Sequence, residues 1–406
     1  MEEVFQMKFA LILIGLILLF VVWLVVDFRL GRRKHLSIAR QMETAILHGN
    51  FDIFTHGKEL FLDYFNEIRQ AKKHIHVLFY IVKNDEFGQE FLSLLIEKAR
   101  QGVEVRLLVD RLGSRKIKKA MIKGLRESGI KFAFSNHIKL PYLFYSSQVR
   151  NHRKISIIDG KIGYLGGFNI GKEYIDQDPK LSPWRDYHLK ITGESVDFLQ
   201  SEFFIDWKEY AGEDLQGSHM FFPELPKGAV RHQFVPTEAG QLEDLFIRVL
   251  NKAASSITIG TPYFIPSRRI FSKLLDAARR GVSITILVPY KSDHIFVQEA
   301  SYRYLRRLIH EGAEVFQYKN GFYHAKTIVI DDKICDIGTA NFDKRSLFLN
   351  KEINCYLYDP AFIKRLQGVL KKDIADSEPL SLAKLNNGSF FRRIKESIAG
   401  AIAYFL

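Results

Sequence analysis

Cysteine is all but absent: Cys335 and Cys355 are the only two in 406 residues. Neither belongs to a CxxC pair, which excludes a zinc site built on thiolates alone. The simplest setting for two such thiols is a reduced, cytoplasm-facing domain, and one disulfide between them is the alternative. Charge is missing from one stretch altogether. From Phe9 to Val26 there is no Asp, Glu, Lys or Arg, no polar stripe, and no small-residue cleavage segment afterwards. Acidic residues are also in the minority, 46 against 59 Lys and Arg, for a formal charge of +13. That excess does not fix a fold, but it favours polyanionic partners, either nucleic acid or an anionic membrane surface. A merely solubilising surface has the same composition. With 47% hydrophobic residues, the length suffices for one large or two medium domains.

Eighteen helical residues from Phe9 to Val26 span about 27 Å, close to the roughly 30 Å hydrocarbon core of a bilayer. A secretory signal places its positive charges before the apolar run. Here Glu2, Glu3 and Lys8 precede it, whereas Arg29, Arg32, Arg33 and Lys34 follow. A buried globular helix would carry a polar stripe. The run therefore predicts a single membrane anchor, and the positive-inside rule puts the carboxy-terminal side in the cytoplasm.

The remainder alternates strand and helix patterns, which argues for an α/β class, and it does so twice. A strand over 75–80, a helix over 87–101, Gly102 and an apolar run over 103–109 answer to a strand over 257–263, a helix over 268–280, Gly281 and an apolar run over 282–288. Each glycine suits a helix C-terminal cap before a buried strand. A single offset of 172 residues then carries His152 onto His324, Lys154 onto Lys326, Asp159 onto Asp331, Gly166 onto Gly338 and Asn169 onto Asn341. An internal duplication follows, with its join in the Gly-, Pro- and polar-rich stretch 213–240. The expected organisation is an anchor with basic flank over 1–34, a linker over 35–50, a first α/β domain over 51–215, a linker over 216–240, a second domain over 241–385, and an amphipathic helix over 386–406.

On a strand, His152 and Lys154 point the same way, as do His324 and Lys326. One His-x-Lys pair is an ordinary surface strand. Two copies packed about a pseudo-twofold axis would bring two imidazoles and two ammonium groups to one cleft. Such a cleft suits phosphodiester chemistry. The lysines neutralise non-bridging oxygens as charge grows in the transition state. One imidazole attacks phosphorus while the other protonates the leaving alcohol and then activates the incoming one. Asn169 and Asn341 offer amide donors to the same oxygens. The scheme needs no metal and no cofactor.

His152-x-Lys154-x(4)-Asp159 and His324-x-Lys326-x(4)-Asp331 resemble the paired HKD motifs of the phospholipase D superfamily. Gly166-Gly-Phe-Asn169, Gly338-Thr-Ala-Asn341, Trp184-Arg-Asp-Tyr-His188 and Asn350-Lys-Glu-Ile-Asn354 are similar to the segments that follow those motifs, and the likeness runs from about Phe51 onward. Within the superfamily the chain looks most like the bacterial cardiolipin synthases, through Gly338–Glu352 and Thr261–Pro266. Those synthases typically carry two amino-terminal membrane segments, where this sequence shows one. The resemblance implies two similar mixed-sheet α/β domains related by a pseudo-twofold, plus the transmembrane helix. It implies transfer of a phosphatidyl group from one phosphatidylglycerol to another with release of glycerol. His152 would be the nucleophile and His324 the general acid/base, with Glu352 orienting His152 and Asp186 orienting His324. Asp159 and Asp331, at strand ends, would make structural salt bridges or fix loops rather than move protons. Hydrolysis of lipid or nucleic acid by the same histidines, and a non-catalytic membrane scaffold, are the competing readings. An anchored chain fits lipid better than nucleic acid. The acceptor stays open among phosphatidylglycerol, phosphatidylethanolamine, glycerol and water.

Two more segments bear on the membrane. Apolar residues at 390, 394, 398, 402 and 406 give the carboxy-terminal helix one greasy face. With Phe391, Arg392, Arg393 and Lys395 it fits either an interfacial helix on anionic lipid or a helix docked on the core. The aromatic loop His137–Tyr145 either lines an acyl-chain channel or packs.

Overall fold

The structure, a computed structural model, describes residues 2–40, 44–387 and 390–405, and of Phe390 and Arg393 the backbone alone. Leu406, the last position of the greasy face, lies outside the described residues.

Among the described residues sixteen strands form one continuous sheet, fifteen in line and Phe322–Tyr323 beside Trp184–Thr192. Outward from its centre, the first half runs Leu47–His56, Trp184–Thr192, Ile162–Gly166, Ile155–Ile158, His74–Phe79, Glu104–Asp110 and Lys131–Ser135. The second half repeats that order: Val230–Thr237, Glu352–Leu357, Ile334–Gly338, Thr327–Ile330, Ser256–Gly260, Ser283–Pro289 and Glu314–Tyr318, then the short edge strand Ser377–Pro379. In each half the three outer strands of the repeat are parallel, joined by helical crossovers; the other neighbours in line are antiparallel, and Phe322–Tyr323 lies parallel to Trp184–Thr192. Gly102 and Gly281, at φ +88° and +84°, end the matching crossover helices Glu86–Arg100 and Arg268–Arg279. That left-handed conformation is the one a side chain resists.

The two halves meet where Leu47, His48 and Gly49 pair antiparallel with His232, Arg231 and Val230. An antiparallel pair has its own local twofold, so the seam and the pseudo-symmetry of the chain share one axis. The stretch expected as a linker over 216–240 thus contains a central strand. Its polar residues and Pro236 masked the alternation of buried His232 and Phe234. A central apolar layer unites the halves, with Leu189 and Phe203 of the first packed in one cluster with Ile337, Ile353 and Leu366 of the second.

The amino-terminal helix runs from Glu2 to Ile38, past the expected anchor and into the expected linker. Its apolar stretch is not buried among the described residues, and by length and composition it can cross a bilayer. Its base is docked. Asp27 is buried and accepts the Tyr145 backbone N–H at 2.7 Å. Phe28 packs edge-on to Tyr145 and Tyr404, and His35 Nδ1 lies 2.7 Å from the Tyr145 hydroxyl. The aromatic loop around residue 142 therefore packs against the foot of this helix.

Candidate active site

The segments carrying the histidines stop short of the strands. Ile155–Ile158 and Thr327–Ile330 begin three residues after His152 and His324. The backbone before them is claimed by the opposite half. His152 N–H donates to the Lys351 carbonyl at 2.9 Å and Lys351 N–H to the Arg150 carbonyl at 2.8 Å. Symmetrically, His324 N–H donates to the Arg185 carbonyl at 2.7 Å, and Tyr323 pairs with Arg185. Lys351 and Arg185 each immediately precede an acidic residue, so the bridging sets each histidine beside the other half's carboxylate. Buried ion pairs lie beneath both bridges: Lys351 with Asp206 at 3.4 Å, and Arg185 with Asp373 at 2.6 Å.

His152 Nδ1 lies 2.9 Å from Glu352 Oε2, and His324 Nδ1 lies 2.6 Å from Asp186 Oδ2. Each pairing fixes the ring and leaves Nε2 as the nitrogen for chemistry. The carboxylates differ in their support. Glu352 also accepts from the Thr339 hydroxyl at 2.6 Å, the Ser346 hydroxyl at 2.7 Å and the Asn350 amide at 3.2 Å. Asp186 is shared between His324 and Lys326 Nζ, the latter at 3.2 Å, and takes its neighbour's backbone N–H at 2.8 Å. Position 339 corresponds to Gly167, where a Cβ would come within 2.1 Å of Asp186 Oδ1. One half holds its carboxylate with a hydroxyl, and the other clears space for it.

Burial dominates the ionisation. It pushes both imidazoles down; His324, with Lys326 beside it, falls to about 4 despite Asp186. It pushes Lys154 down to about 7, with Glu352 opposing and Lys326 assisting. Burial alone would raise Glu352 and Asp186. Glu352 is instead held below its ordinary value by His152, Lys154 and Thr339, and Asp186 by Lys326 and His324.

Both histidines open on one cavity of about 700 Å³, together with Asn169 and Asn341. Asn169 Oδ1 accepts the Ile81 N–H at 3.1 Å, and its amide donates to Tyr174. Asn341 Oδ1 is buried without a partner among the described residues. The lysines stand behind the rings rather than on the cavity wall. Lys154 Nζ donates to the His152 carbonyl at 2.6 Å, and Lys326 Nζ to the His324 carbonyl. Asp159 and Asp331 sit away from the cavity at the far ends of their strands. Asp159 accepts the N–H groups of Lys72, Lys73 and His74, and Asp331 those of Ala254, Ser255 and Ser256.

Sequence reasoning missed Tyr80, Tyr263, Asp293 and Arg150 on the cavity wall. Tyr80, Tyr263 and Asp293 follow the carboxyl ends of parallel strands, where open α/β sheets gather ligand-binding residues. That position was the available signal. Tyr263 donates its hydroxyl to Asp293 at 2.8 Å. Ser346 supports Glu352, and Arg345 ties the halves by donating to the Gln148 carbonyl at 2.9 Å. Among the described residues no three His, Cys, Asp or Glu side chains group to hold a metal ion.

A duplicated α/β sheet with crosswise His–carboxylate pairs on one cavity defines the phospholipase D class. The solved structure of phosphatidylserine synthase from Haemophilus influenzae Rd KW20 has this fold, with TM-score 0.71 at 14% identity over 93% of this chain and 99% of that one. The family profile described as cardiolipin synthase, PLD-like domain, matches residues 64–180 and 246–374. The minor cardiolipin synthase ClsB of Bacillus subtilis (strain 168) is 38% identical over 400 residues, 98% of this chain and 100% of that protein. The major synthase ClsA of the same strain is 40% identical over 361 residues, 87% and 75% respectively. The chain belongs to the cardiolipin synthase family of phospholipase D-type enzymes.

Proposed function

We propose that this enzyme makes cardiolipin from two phosphatidylglycerols and releases glycerol. The observation that carries the reading is the single cavity bearing both imidazoles, each held through Nδ1 by the opposite half. His152 Nε2 attacks phosphorus, and the bond from phosphorus to the glycerol headgroup oxygen breaks. That oxygen takes a proton from His324 Nε2. A phosphatidyl-imidazolium remains, and the Glu352 carboxylate stabilises its positive ring. The terminal hydroxyl of the second phosphatidylglycerol then gives its proton to His324, and its oxygen attacks phosphorus. The phosphorus–nitrogen bond breaks and His152 is restored.

The asymmetry of the carboxylates supports this order of roles. Glu352 is buttressed by neutral donors that fix His152 in place. His324 shares Asp186 with a cation that tunes its proton affinity. A phosphodiester anion between the rings raises that affinity from its low value, as an opposite charge does, so His324 enters the reaction as the acid. The lysine charges lie under the cavity floor and favour anionic oxygens above. The domains lie on the cytoplasmic side, which the basic residues Arg29, Arg32, Arg33 and Lys34 after the apolar run support.

The test is purified protein in vesicles with headgroup-labelled phosphatidylglycerol. Cardiolipin with labelled glycerol is expected. Phosphatidic acid with labelled glycerol would mean water is the acceptor. Protein quenched in denaturant at neutral pH should carry phosphatidyl on His152, and phosphatidyl on His324 would reverse the roles.

A further inference from the structure

The helix Phe390–Ile402 meets the rest of the chain along one narrow face. Ala399 and Ala403 are fully buried. Gly400 lies over Arg303, whose Nη1 would stand 3.1 Å from a Cβ at that position. Glu396 pairs with Arg306 at 3.3 Å on the helix Val297–His310. The two placements left open by the sequence are therefore combined: the small residues dock, and the greasy stripe faces away. Ile394, Ile398, Ile402 and Phe405 fall on one side at helical spacing, each 38% to 45% exposed.

Three observations indicate what covers that stripe. It ends at the foot of the amino-terminal helix, where the Phe405 ring lies 5.6 Å from Phe28, just past the apolar run. It also ends at the cavity, since Phe405 shares the wall with His152, His324 and the highly exposed Ile295. Cations gather where the helix docks, around Arg303 under Gly400. Arg268, Arg303 and Lys344 have no carboxylate within 4.0 Å among the described residues, and Arg268 and Arg303, after burial, depress the Lys344 ammonium. A second copy of this chain would bring its own +13 charge to that face, whereas a headgroup layer brings phosphate.

We propose that the carboxy-terminal helix lies in the bilayer interface, its Ile394–Phe405 stripe among acyl chains and Arg268, Arg303 and Lys344 against lipid phosphates. Lipid then reaches the cavity along this helix. The inference rests on reading the chain as a membrane-lipid enzyme. It adds a second membrane contact to the anchor, of the kind an amphipathic basic helix makes.

The test uses the full chain in vesicles of phosphatidylglycerol and phosphatidylcholine. Ile398→Cys is labelled with an environment-sensitive dye; Cys335 and Cys355 are buried and stay unlabelled. Quenching by lipids spin-labelled high on the acyl chain, and not by aqueous iodide, is expected. Quenching by iodide alone means a solvated helix and overturns the proposal. Quenching by neither means cover by protein, as a second copy would give, and also overturns it. In a second arm, Ile394→Glu with Ile398→Glu should lower kcat/KM at least tenfold on vesicle-borne phosphatidylglycerol. The rate on short-chain phosphatidylglycerol dispersed in detergent should not change, and an equal loss on both substrates contradicts the proposal. If the lipid-transfer reading itself is wrong, turnover is absent on every substrate while the dye result stands.

Discussion

Glu352 accepts the Nδ1 proton of His152 across a gap of 200 positions in the chain, and Asp186 does the same for His324 from the other side. Each half of the molecule holds the cavity-facing imidazole of the other. A Glu352→Gln amide can still bond the ring but cannot stabilise an imidazolium. We expect its turnover to fall by about 10²–10⁴, the scale of a lost acid–base or orienting group, with thermal stability close to the parent. Asp186→Asn should behave alike. A loss under tenfold in both would detach the carboxylates from the chemistry.

The corresponding positions Gly167 and Thr339 should respond to different degrees. Gly167→Ala drives a methyl into Asp186, displaces His324 and should cost more than a hundredfold in kcat, because small misplacements at a reacting centre are expensive. Thr339→Val removes one hydroxyl from Glu352 and leaves two donors in place, so a loss of roughly tenfold is expected, a single hydrogen bond to a charge contributing about 1.5–3 kcal/mol. Steady-state rates for the two variants, side by side, check the asymmetry.

Lys154 gives the free enzyme an alkaline limit. Burial pushes its ammonium down to about 7, so the positive charge under the cavity fades as pH rises past that value. The profile of kcat/KM, which reports the free enzyme and already falls as His324 loses its proton above about 4, should steepen above about pH 7. Lys154→Met should be slow throughout and lack that steeper limb. A parent profile with no steepening up to pH 9 would contradict it.

Asp331 predicts an acid-stability effect without a catalytic one. Burial would raise its carboxyl, but the amides of Ser256, Ala254 and Ser255 and the Ser255 hydroxyl hold it at about 2, below the ordinary 3.8. A depressed acid stabilises the fold above its unfolded value, and that contribution disappears as pH falls through the folded one. Asp331→Ala should therefore be less stable by about 1–3 kcal/mol at neutral pH. The ionisation-linked part of its deficit should close between pH 3.8 and about 2, and the part that comes from placing alanine at φ +49° should remain. Melting curves over pH 2–7 test this, and the folded fraction should turn over normally.

The repeated crossover units were legible from sequence almost to the residue. Periodic apolar runs ending in a glycine leave little freedom at 86–110 or 268–289. The histidines were equally legible, because a fixed offset carries a whole constellation of residue types. The strand Val230–Thr237 was not. Its pairing partners, Leu47–Gly49 and Glu352–Leu357, are remote in the chain, and its composition reads as a loop. The lysines' retreat behind the rings was hidden for a related reason. Alternation along a strand assumes a strand, and the segments around His152 and His324 are held by single bridges to the other half. Tyr80 and Asp293 carried no motif, only their place after strand ends, and Tyr263 lay within the Thr261–Pro266 resemblance without a role of its own.

The central seam has an evolutionary consequence. Two separate copies of such a half, joined edge to edge along Leu47–Gly49, would form a homodimer in which every substitution appears in both seats at once. Covalent linkage lifts that restriction. One seat has settled on aspartate with glycine beside it and the other on glutamate with threonine, so a formally symmetric catalyst has been free to become a lopsided one.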